Sequence, residues 1–312
     1  MTRKPELPSQ PEPDDNVNAS EPAENYAYEM KEFIPMETDV YEVYQDSASQ
    51  TEIKLSHQVL EDINSMYHRL IHCASNKLDV LLQVAGLDIT EDLRGAVLKG
   101  MDLTGSDLAM AVLDGADLSY TILKDAVLSS SLQNANLSHA DLEGALLRGS
   151  NLYNANFDHA NLYEANLAGS YLQKATFRRA HLRRAVMTGL DLSGNVFSRA
   201  DISFADLKAA NLRNADLSEA DLRNADLSET VLCKANLRNA NLGETDLTRA
   251  DLAGATLVGA RLKGSMFKYA VVDKTLFGCN EGLSAKDKSD LVSRGAIIVD
   301  SPGNGVPAWS HR

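Results

Sequence analysis

Cysteine is scarce in this sequence: 3 in 312 residues, at Cys73, Cys233 and Cys279. They are odd in number and widely spaced, which excludes a disulfide framework and a CxxC motif and predicts free thiols in a reducing cytoplasm. Prolines are few and unevenly placed, with six of the 8 inside residues 1–35. No apolar run approaches the roughly 20 residues a membrane helix needs. No apolar segment follows Lys4, as a secretory signal would require. Positive charge is also in deficit, 30 Lys and Arg against 44 Asp and Glu. A glycine-rich phosphate loop after a strand and a serine elbow are both missing, so the sequence offers no catalytic residues and no cofactor site, and an enzyme is not expected.

The acidity belongs mainly to the N-terminal end. Residues 1–50 hold 12 acidic and 3 basic residues, net −9, whereas residues 91–280 hold 23 and 20, net −3. The first stretch, MTRKPELPSQPEPDDNVNASEPAEN, has too little apolar surface to offset its ordering entropy. It predicts a disordered acidic tail over 1–50. Inside that tail, YAYEMKEFIPMETDVYEVYQD alternates aromatics with acids. Tyr26, Tyr28, Phe33, Tyr41 and Tyr44 are therefore candidate partner-binding residues.

Residues 51–90 read as a helical cap. Ser56 suits an N-cap, and Val59, Leu60, Ile63, Met66, Tyr67, Leu70 and Ile71 make one apolar stripe. A second helix starts near Asn76 and ends near Gly86. His68 and His72 have the spacing of a metal pair on a helix, but no Glu or Cys joins them, and no metal site is assigned.

What fills most of the chain is a repeat. Residues 214–229 read NADLSEADLRNADLSE, with leucine at Leu217, Leu222 and Leu227. On a helix, positions five apart are rotated by about 140°, and on a flat strand they alternate faces. Neither can bury this pattern on one side, so the chain must turn about once per repeat, as a solenoid does. The centres run from Leu93 to Phe277, about 38 of them, with one slip of register in VLSSSLQ. The position two before each centre is small, and on extended backbone it also points inward. The position just before is mostly Asp or Asn and points out, and the two after are turn-like. Aspartate at that outward position of nearly every repeat reads as a solvated, turn-stabilising ladder. The small-residue rule fails at Leu190 and Asn195, where a widened coil is expected.

The pattern A-[DN]-[LF]-x-x over about residues 92–280 resembles the pentapeptide-repeat proteins. The resemblance implies an all-β fold, a right-handed quadrilateral β-helix with four pentapeptides per coil. Residues twenty apart then stack, and some nine coils at about 4.8 Å give a rod roughly 45 Å long. Phe157, Phe177 and Phe197 should form one interior ladder beside core leucines such as Leu217, Leu222 and Leu227. His139 and His159 should stack on an outer face. Residues 281–312 read as a C-terminal cap and tail: Ser284 can start a helix to about Arg294, Gly295 ends it and AIIVD adds a strand. This ending is similar to those of cyanobacterial members of the family.

One strong charge feature lies inside the repeat, QKATFRRAHLRRAVM. Lys174, Arg178, Arg179, Arg183 and Arg184 should form a positive corner near mid-rod that docks an acidic partner, the protein's own tail included. The sequence thus points to a non-enzymatic binding or scaffold protein mediating protein–protein interaction in the cytoplasm. A homodimer through a terminal cap is a further expectation. Two alternatives stand beside it, the first of them implied by the resemblance. One is a DNA mimic acting on DNA gyrase or a topoisomerase, disfavoured by the near-neutral solenoid because duplex DNA carries one charge per about 1.7 Å. The other is a secreted bacterial effector that uses the tail as an address.

Overall fold

The computed structural model describes residues 93–299. The expectations for the acidic tail and its aromatics, for the helices of residues 51–90 and for His68 and His72 lie outside the described residues.

All described repeats but the one at the register slip are built from the same two backbone devices up to Val272. The residue three after a centre donates its N–H back to the centre's carbonyl, as Ala155 does to Leu152 at 3.1 Å. The residue two after the centre then has positive φ, 57° at Asn154 and 55° at Arg179. That combination is a type II turn. The outward Asp or Asn closes the turn from the other side. Asp216 Oδ1 accepts the N–H of Ser218 at 3.1 Å, and Asp206 Oδ1 accepts that of Lys208 at 3.1 Å. These are Asx turns, which explains why the residue before each leucine is so often Asp or Asn.

Four such units complete a coil. Residues twenty apart pair as parallel bridges, as in Asn136↔Asn156, Asn156↔Thr176 and Thr176↔Val196. Leu137 donates to Asn156 O at 2.8 Å, and Asn156 donates to Ala135 O at 3.0 Å, so each extended piece bonds to the coils on both sides. The outward side chains add a second ladder, with Asn161 Nδ2 donating to Asp141 Oδ1 at 2.9 Å and Asn236 Nδ2 to Asp216 Oδ1 at 2.8 Å. The result is a four-sided β-solenoid. The register slip sits in one turn, where Ser130 donates to Leu128 O at 2.7 Å in a tighter, two-residue closure. Coils spanning it pair nineteen apart, as in Asp117↔Asn136.

The interior is filled by the centres of all four sides. Leu103, Leu123, Leu142, Leu222 and their equivalents are fully buried. Each such side chain contributes about 1.5–3 kcal/mol. Phe157, Phe177 and Phe197 stack along one side, with ring centroids 5.0 and 4.9 Å apart and planes within 1° and 4°. Alanine takes the small inward position. Where a buried Ser or Thr replaces it, the hydroxyl donates to a backbone carbonyl, either of the adjoining coil, as Thr245 does to Leu222 O at 2.7 Å, or of its own turn, as Thr230 does to Leu227 O at 2.6 Å. Burial there leaves no hydroxyl proton unpaired.

The ladder is locally opened at Leu190. Asn166↔Val186 and Thr176↔Val196 are bridged, but among the described residues no bridge joins Tyr171 to Asp191 between them. A buried leucine in the small position takes the space that an alanine leaves to the ladder. In the next unit Asn195 is buried, and its Nδ2 donates to Leu172 O at 2.9 Å.

The C-terminal end departs from the repeat. Strand β1, Leu276–Phe277, is followed by helix α1, Ala285–Ser293, and strand β2, Ile297–Ile298, which pairs in parallel with β1. Ser284 caps α1 in a capping box with Asp287. The Ser284 hydrogen bonds hold the Asp287 carboxyl below the usual aspartate range. Leu291 is buried against the last coil. Arg294 turns back from the helix end and donates to the carbonyls of Phe267 and Ala270, while its other nitrogen pairs with Asp290 at 2.7 Å. Among the described residues no helix is long and apolar enough to cross a membrane.

Candidate functional site

The twenty-residue stacking decides what lies beside each outward side chain. The coil containing Lys174 to Arg184 is the most cationic, and each of its five basic residues finds a different environment. Arg178 reaches the coil of Asp158: its Nη1 lies 3.0 Å from Asp158 Oδ2, and its backbone N–H donates to Oδ1 at 2.9 Å. Arg184 reaches Glu164 at 2.9 Å and donates to Tyr163 Oη at 3.1 Å. The Arg184 and Tyr163 hydrogen bonds hold the Glu164 carboxyl below the usual range. Lys174 Nζ lies 5.0 Å from the Tyr153 ring centre, and Arg183 Cζ lies 5.0 Å from that of Phe204. Arg179 makes no ion pair among the described residues. It lines an open groove with His159, Ser198 and Arg199, whose far side carries Asp216 and Glu219 and whose near side carries the Arg178-bound Asp158.

The positive corner expected from the sequence thus carries fewer open charges than its five basic residues suggest. The structure gathers Lys174, Arg178, Arg179, Arg183 and Arg184 on one coil, but Arg178 and Arg184 are already neutralised by acids of the coil below. Both acids stand twenty residues earlier, at Asp158 and Glu164, and that spacing was the signal that could have found them. Exposed pairs of this kind contribute only about 0.2–1 kcal/mol each. Their effect here is to remove two charges from the outer field and fix two side chains.

Aromatic side chains missed by the sequence reading complete the surface. Phe204 is 46% exposed although it stands at a turn position where polar residues dominate. Tyr163 and Tyr153 lie against the basic coil. On the adjoining edge, Tyr120, His139 and His159 form a continuous stack with centroids 4.7 Å apart at both steps. The histidine pair follows from the period of twenty. Tyr120 joins it at nineteen because of the slip.

Other chemistry-bearing groups are built into the scaffold. Cys233 is buried, and its Sγ lies 2.9 Å from Asp251 Oδ2. Burial first, and that carboxylate second, push its thiol above the usual range and away from thiolate reactivity. Cys279 is exposed. Among the described residues no three His, Cys, Asp or Glu side chains converge as a metal site would need.

These features can be set beside known proteins. The family model for pentapeptide repeats matches in 8 copies that together span residues 92–275. Among solved structures, the chain is similar to HetL, a pentapeptide repeat protein involved in heterocyst differentiation regulation from the cyanobacterium Nostoc sp. strain PCC 7120. The identity is 29% over 64% of this chain and 95% of that one, with a TM-score of 0.42. It is similar to QnrB1, a plasmid-mediated fluoroquinolone resistance protein, at 18% identity over 65% and 97% of the two chains, TM-score 0.40. It is also similar to Rfr23 from the cyanobacterium Cyanothece 51142, at 36% identity over 33% and 63%, TM-score 0.26. No curated protein matches the sequence. With more than half of its length matched by the family model, the chain belongs to the pentapeptide-repeat family.

Proposed function

We propose that this protein is a non-enzymatic interaction scaffold of the cytoplasm, which presents side chains to a protein partner from the surface of its solenoid. The observation that carries this reading is the mid-solenoid patch in which Arg183 lies over the half-exposed Phe204 ring, beside the Tyr163–Arg184–Glu164 cluster. Arginine and aromatic side chains are the residue types that concentrate binding energy at interfaces. Here they stand on backbone whose coils are hydrogen-bonded on both sides, so little ordering entropy remains to be lost on binding.

The test is capture from cell extract by the full chain and by an Arg183→Ser/Phe204→Ser variant of parental melting temperature. The parent should retain a defined set of proteins and the variant should lose it. Identical sets for both proteins would overturn the assignment to this patch.

A second reading, modulation of DNA gyrase or a topoisomerase by mimicry of duplex DNA, draws on the aspartates stacked by the bridges Asp201↔Asp221, Asp206↔Asp226 and Asp226↔Asp246. Cations interrupt the same stretch, with Arg223 on Asp221 at 2.6 Å and Arg199 on Glu219 at 2.9 Å. That interleaving is unlike the unbroken charge of a duplex, and it makes the scaffold reading the stronger one.

A further inference from the structure

The arginines of RRAHLRR divide two and two. The outer pair, Arg178 and Arg184, closes on Asp158 and Glu164 of the coil below. The inner pair, Arg179 and Arg183, makes no ion pair among the described residues. Arg179 stands exposed at its turn, and Arg183 rests its guanidinium on the Phe204 ring. His181, also exposed, lies between them on the outward position of the same coil.

From this division we infer that Arg179 and Arg183 are a receptor for two carboxylates of an acidic peptide segment on a partner protein, a segment that crosses the solenoid along one coil. The inference rests on the scaffold reading above and names the kind of partner. A guanidinium without an internal acid is free to offer its donor fork to an incoming carboxylate. Arg178 or Arg184 would first have to release its own acid, which would then repel the newcomer. The inner arginines stand four positions apart, so their Cα atoms lie no more than about 14 Å from each other. Two acids three or four residues apart on an extended peptide span about 10–14 Å, which matches that reach.

The surroundings fix the direction of approach and the partner class. On the same sides, the coil below carries Asp158 and Glu164, and the coil above carries Asp201. A long polyanion running along the solenoid axis, such as a nucleic acid strand, meets those carboxylates on both sides of the arginines. A short acidic segment following one coil avoids them. The Phe204 ring beneath Arg183 adds an apolar seat for the aliphatic part of a glutamate.

The test uses a labelled glycine–serine peptide carrying glutamates four residues apart, its Gln counterpart, and a single-stranded oligonucleotide of equal charge. Binding to the full chain is read by fluorescence anisotropy. At about 0.05 M salt the Glu peptide should bind and the Gln peptide should not, and about 0.5 M salt should abolish binding by screening. Arg179→Ser/Arg183→Ser should weaken binding about tenfold or more, whereas Arg178→Ser/Arg184→Ser should change it by less than about threefold. The same variants with Lys in place of Ser keep the test valid if a Ser variant melts early. Equal loss from both pairs, no binding by the parent, or an oligonucleotide bound as tightly as the peptide would each overturn the inference. If the peptide fails while the extract capture survives, the scaffold reading stands and only this receptor falls. If the peptide binds but the captured set does not depend on the patch, the receptor stands and the assignment of partner docking to it falls.

Discussion

Left-handed backbone recurs two positions after the centres, Leu128 excepted, with φ of 73° at Gly169, 61° at Arg199 and 57° at Glu164. Glycine takes this conformation freely, whereas an L side chain incurs roughly 1–2 kcal/mol. Gly169 therefore tests the turn without steric confusion, because a Cβ built on it meets nothing within 4 Å. Gly169→Ala should cost about 1 kcal/mol in denaturant melts from backbone strain alone. Gly243 has ordinary φ, and a Cβ there would touch Asn241 Oδ1, Lys263 O and Arg223 Cγ at 3.5–3.7 Å. Gly243→Ala should instead gain about 0.4–1 kcal/mol by narrowing the unfolded ensemble. Changes of the same sign at both positions would mean that the turn assignment is wrong. The large-centre, small-flank and outward-Asp pattern was legible in the sequence because each position carries one kind of side chain. The left-handed position was not legible, because Arg, Glu, His and Lys occupy it as often as Gly does and hide the signal that glycine alone would give.

A coil communicates with its neighbours through residues twenty apart, and the Tyr120–His139–His159 stack shows what that does to a titratable group. Burial, and then the charge of His159, hold the His139 imidazole below its ordinary value; Asp158 opposes them, and Tyr120 closes the other ring face. A histidine with a depressed folded pKa is protonated more readily in the unfolded chain. Its contribution to stability is complete above the unfolded value of about 6.5 and is lost as pH falls through the lower folded value. Acidification from about pH 7.5 to about pH 5.5 should thus lower the melting temperature of the parent more than that of His139→Asn. Equal slopes would show that the stack does not sense pH. The same spacing explains which parts of the site the sequence exposed. Asp158 beneath Arg178 and Glu164 beneath Arg184 could be found by counting back twenty, so the two closed pairs were legible in principle. The stacking of Tyr120 was hidden by the shortened turn at Leu128, which changes the count to nineteen. The exposure of Phe204, and its partnership with Arg183, follow from packing that no residue pattern encodes.

A solenoid gains its stability coil by coil, so its ends are its weak points and a cap matters more there than in a globular domain. The helix after Ser284 was legible from its capping residue and from Gly295, but the return of Arg294 onto the last coil was not, since it depends on where the helix comes to lie. That guanidinium donates to the Ala270 carbonyl, which no following coil pairs, and to the Phe267 carbonyl, which also accepts the Ala270 N–H, while Asp290 orients it. Hydrogen bonds from a charged donor contribute about 1.5–3 kcal/mol. Losing both in Arg294→Ala, about 3–6 kcal/mol, should therefore speed amide exchange in residues 262–281 by about a hundredfold or more, at roughly 1.4 kcal/mol per tenfold. Nearest-neighbour coupling should confine the effect to the coils next to the cap, leaving amides around Leu162 and Leu182 at parental rates. Hydrogen exchange followed by mass spectrometry reads both regions in one experiment. Faster exchange at Leu162 and Leu182 as well would mean that the coils open as one cooperative unit, and that Arg294 secures the whole solenoid instead of its last turn.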